Sequence, residues 1–163
     1  MNYLVYCDGA CSNNGNALDA VASGSFAAYM LGESAKYSDD IHEKLMHEKP
    51  IIHKSRFSIS LLGEGPATNN VAEATTLGVA ISWLIENNLL VQENMVHVCM
   101  DSQLILTQMI GMAKVRNTRL RMIYQGIYAN LARASEKVGY NVEPVIHFHW
   151  ISGDLMKQTI IGH

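Results

Sequence analysis

The sequence predicts an α/β domain built on a mixed five-stranded sheet, three antiparallel strands followed by two parallel ones, with helices on its flanks. Three observations predict it. Strand-like runs come three in succession before any long helical pattern begins. Near Thr68 the apolar residues change to a spacing of three and four, the period of a buried helix face. Beyond that helix, strand-like and helix-like stretches alternate to the last residue, which lays further strands onto the sheet through helical crossovers.

Taken in order, Asn2 to Cys7 (NYLVYC) is a short β-rich run that stops at Asp8-Gly9 and gives way to the loop CSNNGN, where Asn14-Gly15 is a turn signal. Gly24 to Leu31 reads as the second strand and Arg56 to Leu62 as the third. Gly32 to Ser55 between them is polar and His-rich and reads as an insertion, a loop or a short helix. Thr68-Asn69-Asn70 is suited to cap a helix whose buried face is Val71, Ala74, Leu77, Ile81 and Leu84, with Asn87-Asn88 at its end. Met95 to Met100 is a compact strand ending at Asp101. Gln103 to Ile110 and Arg116 to Val138 follow as helices, the second closed by Gly139. Val145 to Ile151 is the fifth strand, and Asp154 to Ile161 a last short helix. No repeat, low-complexity tract or linker divides the chain, so residues 1–163 are expected to form one domain with an insertion at 32–55.

Composition narrows the function classes. The 163 residues are 48% hydrophobic and 17% charged with a net charge of −3, so any phosphate-binding face has to be local. No stretch approaches the roughly 20 apolar residues that span a bilayer. The first residues lack the basic start of a signal peptide. A cytoplasmic location and no membrane partner are therefore expected. Cys7, Cys11 and Cys99 include no CxxC pair, which argues against disulfides and zinc; Cys7 and Cys99, in apolar runs, read as buried thiols. His42, His47 and His53 lack metal-ligand spacing and are expected at the surface. His147 and His149, two apart in a strand, share a face, and Trp150 is expected in the core on the opposite one.

Three acids stand out by position. Asp8 follows the first strand, Asp101 follows the fourth, and Glu73 lies in the first turns of the long helix. If those strands are neighbours, a helix crossing the sheet edge brings Glu73 over both aspartates. Converging carboxylates repel one another and are stable mainly around a cation, and an all-oxygen site suits Mg²⁺ or Mn²⁺. The stretch AKVRNTRLR holds Lys114, Arg116, Arg119 and Arg121, four of the twelve Lys and Arg. It reads as a contact for backbone phosphates, supplying affinity and salt dependence.

The ordered motifs DGACSNNGN, TNNVAE and DSQLI, at strand, helix and strand positions, with HFHWISGD after them, resemble the type 1 ribonuclease H family over nearly the whole chain. That resemblance implies a ribonuclease H-like fold and hydrolysis of the RNA strand of an RNA·DNA hybrid by a monomer. It implies that Asp8, Glu73 and Asp101 hold two divalent ions about 4 Å apart. It places Asn14, Asn70 and Gln103 against the RNA strand, where amides suit a 2′-hydroxyl. Thr68 and Asn69 fall against phosphate or bases, and Lys114, Arg116 and Arg119 in the substrate-handling segment. The family usually adds a fourth acid in the final helix. Here Ile160 falls at that position in one register, and His163, nearly one turn further, is the expected fourth ligand, with Asp154 the second choice.

Three rivals differ in testable ways. A proofreading-type exonuclease would begin Asp-x-Glu, but Ala10 stands two residues after Asp8. A binding module that has lost catalysis would fit the missing fourth acid. A resolvase-type nuclease would act as a dimer on branched DNA.

Overall fold

Leu4, Val5, Tyr6 and Cys7 are buried one after another. A strand covered on both faces belongs inside a sheet rather than at its edge, and this one forms the middle strand of five. The computed structural model describes residues 1–12, 21–33, 36–48, 51–59 and 68–162. Strand β1 is Asn2–Ser12, β2 Val21–Gly32, β3 Ile51–Ile59, β4 Met95–Met100 and β5 Ile146–Trp150. Their order across the sheet is β3-β2-β1-β4-β5. The β1–β2 and β2–β3 pairs are antiparallel, while β1–β4 and β4–β5 are parallel. The mixed five-stranded sheet that the sequence predicts is the one observed.

Helix α2, Asn69–Glu86, starts where Thr68 caps it, its hydroxyl accepting from the Val71 N–H at 3.2 Å. Ser102 caps α3 (Gln103–Met109), Asn117 caps α4 (Thr118–Val138) and Ser152 caps α5 (Gly153–Gln158) in the same way. Gly139 ends α4 at φ 85°, a left-handed conformation that only glycine adopts freely. Because side chains alternate along a strand, β1 feeds two cores. Val5 and Cys7 join Phe26, Val98, Leu77, Ile81, Ile105 and Leu131 beneath α2, α3 and α4. Leu4 and Tyr6 join Ala27, Tyr29 and Cys99 on the other face, beneath α5 and a further helix, α1, at Ile41–Glu48. Each large side chain fully buried here contributes about 1.5–3 kcal/mol.

The segment 32–55 departs most from expectation. It is only partly an insertion: β2 runs to Gly32, α1 follows, and β3 begins at Ile51. The pairing Ala28↔His53 and Ala27↔Lys54 makes a strand of polar sequence. Its side chains alternate between half-buried and exposed, but the half-buried positions include His53 and Ser55, so the alternation is not an apolar one that sequence shows. His42 is also not a surface residue, being 1% exposed. One ring nitrogen lies 2.6 Å from the Tyr6 hydroxyl and the other 2.9 Å from that of Tyr37, so the imidazole is fully satisfied without solvent. His53 is half-buried and stacks on Trp83 at 4.6 Å. Trp150 is 49% exposed rather than core, because β5 is an edge strand and Trp150 its last residue. Cys7 and Cys99 are buried, as read from their apolar runs, and Cys11 is buried as well. No helix among the described residues is long and apolar enough to cross a membrane.

Candidate active site

The parallel ladder between β1 and β4 ends at Tyr6↔Cys99. Asp8 lies two residues past Tyr6, and Asp101 two past Cys99, so both aspartates leave the ladder in register at the same end. Asp8 does not follow its strand, however. The hairpin with β2 continues through Asp8↔Ser25 to Ser12↔Val21, because the antiparallel partner is longer than the parallel one. Glu73 comes from the first turns of α2. A β-carbon on Gly9 would stand 2.5 Å from the Ala72 carbonyl and the Glu73 nitrogen. Only glycine lets the helix backbone sit down on β1 here, and that seating delivers Glu73 to the aspartates.

Carboxylate oxygens of Asp8, Glu73 and Asp101 all lie within 4.8 Å of one another, and all three residues are half-buried. The electrostatics follow from that crowding. Burial, then the Asp101 charge, pushes the Asp8 carboxyl up to about 6. Burial, then Asp101 and finally Asp8, pushes Glu73 up to about 7, against the pull of a hydrogen bond with Ser102. Asp101 is raised by burial alone, partly offset by a hydrogen bond from its own backbone. Each group is thus held where its charged form is costly, and a divalent cation reverses that cost. The donor set is three hard oxygens, which fits Mg²⁺ or Mn²⁺ and not a thiolate metal.

At the start of α2, three residues before Glu73, lies an open groove of about 550 Å³, lined by Thr68, Asn69 and Asn70 and by Lys114, Arg116 and Asn117. Asn69 also ties α2 to β1, its side-chain oxygen accepting from the Cys11 N–H at 2.9 Å. Lys114 and Arg116 are exposed, whereas Arg121 donates to the Val115 carbonyl at 3.0 Å and so braces its own loop. Arg119 is half-buried near the start of α4, and Gln103 is exposed at the start of α3. Asn14 and His163 lie outside the described residues. Asp154 is exposed in the first turn of α5, but Ser152 caps that helix, so capping does not account for Asp154. A β-carbon on Gly153 next to it would stand 3.7 Å from Asp101 Oδ2, which puts the start of α5 at the acidic site.

Sequence reading missed three supports of this site. Ser102 caps α3 and also hydrogen-bonds Glu73. The indole N–H of Trp150 donates to the Asp101 carbonyl at 3.1 Å. Gln108 is buried on the apolar face of α3. A lone amide at helical spacing among Ile105, Leu106 and Met109 was the available signal for Gln108.

A mixed sheet in this order, with two acids where its β1–β4 ladder ends and a third brought to them by α2, defines a ribonuclease H-like fold with an acidic group that could hold a metal ion. No protein-family model matches the chain, and no curated protein sequence does. Solved structures do. LC11-RNase H1, isolated from compost by a metagenomic approach, is 25% identical with a TM-score of 0.61, over 93% of this chain and 84% of that one. RNase H1 from Halobacterium salinarum NRC-1 is 17% identical with a TM-score of 0.64, over 98% and 92%. The N-terminal RNase H domain from Mycobacterium tuberculosis is 20% identical with a TM-score of 0.61, over 93% and 83%. The resemblance to type 1 ribonucleases H read from the motifs therefore extends to the fold of nearly the whole chain.

Proposed function

We propose that this protein is an endonuclease that hydrolyses the RNA strand of RNA·DNA hybrids with divalent metal ions. One observation carries the reading: three carboxylates crowded within 4.8 Å of one another, one of which, Glu73, follows by three residues on α2 the Asn70 that lines a groove together with Lys114 and Arg116. LC11-RNase H1, which shares the fold, has been solved in complex with an RNA/DNA hybrid, at 23% identity over 92% of this chain.

Asp8, Glu73 and Asp101 would hold two Mg²⁺ or Mn²⁺ ions. When bound, such ions supply positive charge to the phosphate and lower the pKa of water. The protein's own residues do the rest. Asp101 is kept in place through its backbone by Trp150, and Glu73 by Ser102. Asn70 and Gln103, with Asn14, are the amides offered to 2′-hydroxyls, which both donate and accept and so mark RNA. Thr68, Asn69, Lys114, Arg116 and Arg119 meet backbone phosphates and set register rather than sequence. Cys7 and Cys99 are buried, and burial lifts the Cys99 thiol to about 12, so neither offers a thiolate nucleophile. We assign the fourth metal ligand to His163, with Asp154 second, and take the working unit to be a monomer.

The test is cleavage of a labelled RNA·DNA hybrid with Mg²⁺ or Mn²⁺, beside duplex DNA and duplex RNA. Metal-dependent cuts confined to the RNA of the hybrid are expected. Binding without cutting under every metal condition would leave the catalytically impaired module in its place. His163→Ala should lower activity more than Asp154→Ala, and the reverse ranking would move the fourth ligand to Asp154.

A further inference from the structure

Behind the groove lies a polar pair that the chemistry above does not use. Gln108 and Tyr124 are 9% and 4% exposed, within a core that is otherwise almost entirely apolar. An unpaired amide there would be costly, so its bonds show what it is for. The Tyr124 hydroxyl donates to Gln108 Oε1 at 2.9 Å, and Gln108 Nε2 donates onward to the Lys114 carbonyl at 3.3 Å. A buried hydroxyl on α4 thus reaches, through an amide on α3, the backbone of the loop that joins those two helices.

Other bonds brace the same loop. Arg121 reaches the Val115 carbonyl, Tyr128 reaches that of Met109, and the Met112 and Ala113 N–H groups donate to the Thr107 carbonyl. Gln108 differs from these in two respects. It is itself part of the groove wall, and it bonds an exposed lysine that lines the same groove. Lysine is long and flexible, and holding it against a phosphate costs ordering entropy that a fixed backbone reduces in advance. Tyr124 also stays a donor at working pH, because burial and then the nearby Glu73 charge hold its hydroxyl well above the usual phenol range.

We propose that Gln108 and Tyr124 are positioning residues for substrate binding, acting as one buried clamp that fixes the Lys114–Arg116 segment of the groove shared with Thr68, Asn69 and Asn70 for contact with nucleic-acid backbone phosphates. The inference rests on the hybrid-cleavage reading above. It assigns the pair to binding, apart from the metal-holding acids.

Steady-state cleavage of the hybrid tests it, with Tyr124→Phe, Gln108→Met and the double variant. Tyr124→Phe removes one link and Gln108→Met both, each with little change in volume. Losing one such bond is expected to raise KM roughly tenfold while kcat changes by less than about twofold. The dependence of log KM on log salt should flatten, because Lys114 and Arg116 no longer neutralise phosphates together. The double variant should match the worse single one, as links of one chain are not additive. In the free protein, amide exchange over residues 110–117 should quicken, whereas the β1 and β4 amides keep their protection. An unchanged KM in an active enzyme overturns the inference, as does a fall in kcat at constant KM or a double variant that multiplies the two single effects. A wild-type protein inert towards the hybrid is a different result and overturns the hybrid reading itself.

Discussion

Two clusters of buried titratable groups lie along the same pair of strands, and they are built on opposite principles. Where the β1–β4 ladder ends, Asp8, Glu73 and Asp101 are groups of one sign; burial raises all three pKa values, and repulsion from neighbouring acids adds to it at Asp8 and Glu73. A few residues earlier, under α1, the groups are complementary. His42 sits between the hydroxyls of Tyr6 and Tyr37, Tyr37 stacks on His149 at 3.6 Å, and His149 Nε2 lies 2.8 Å from His97 Nδ1. His97, His149 and His42 are all shifted down, in each case mainly by burial. The aromatic cluster is favoured in its neutral form, although His97 Nε2 is buried without a hydrogen-bond partner among the described residues, whereas the acidic one would gain from a cation. The first secures a helix to the sheet, and the second gives up stability for a site that chemistry can use.

The largest expected effect tests the acidic side. Asp101→Asn should lower hybrid cleavage on the order of a thousandfold, the scale of losing preorganised charge at a reacting phosphate. Its thermal midpoint in chelator should not fall, since a repelling charge has gone. A marked fall in that midpoint would mean the acids stabilise the fold, and the contrast between the clusters would disappear.

Next is Tyr37→Ala, which removes the ring over His149 and one partner of His42. A half-buried ring of this kind should cost about 2 kcal/mol in urea unfolding, below the range for a fully buried one. Cleavage at saturating metal should persist. Loss of cleavage in a variant that remains folded would show that the two clusters are coupled.

The pH dependence is smaller and has opposite signs on the two sides. His97 is lowered to about 4, so between its ordinary value near 6.5 and about 4 the unfolded chain binds the extra proton. The stability from that cluster is therefore lost as pH falls through this window. Asp8 and Glu73 are raised to about 6 and about 7, so in metal-free protein their contribution is present in acid and is lost as pH rises towards neutrality. Urea unfolding in chelator across this range should show His97→Phe flattening the acid limb and Asp8→Asn with Glu73→Gln flattening the neutral one. Limbs that ignore these substitutions would assign the pH dependence elsewhere. Smallest is Tyr6→Phe, which removes one hydrogen bond to His42 and should cost about 1 kcal/mol in the same assay.

The difference between the clusters is also a difference in legibility. Asp8, Glu73 and Asp101 could be singled out because each stands beside a recognisable local signal: the close of an apolar strand run for the aspartates, although β1 continues past Asp8 to Ser12, and a helix cap for Glu73. His42 could not, because whether a histidine in a short amphipathic helix is buried depends on Tyr6 and Tyr37 being there to satisfy it. The polar edge strand β3 was read only from Arg56 onward for a related reason, since its first residues are strand by pairing alone. Trp150 was misplaced because strand parity says which face a side chain takes but not whether anything covers it.

The sequence by itself determined what short-range physics determines: the periods of the strands and helices, the cap at Thr68, the stop at Gly139, and three acids placed near the turns between elements. Tertiary structure decided everything that depends on who the neighbour is. It decided that β1 lies beside β4 so that Asp8 and Asp101 emerge together, that α2 rests on Gly9 closely enough to bring Glu73 to them, and that Gln108 turns its amide towards Lys114. Burial, repulsion and hydrogen-bond satisfaction are properties of pairs of groups, and those pairs, 28 to 93 residues apart for the acids, exist only once the chain has folded.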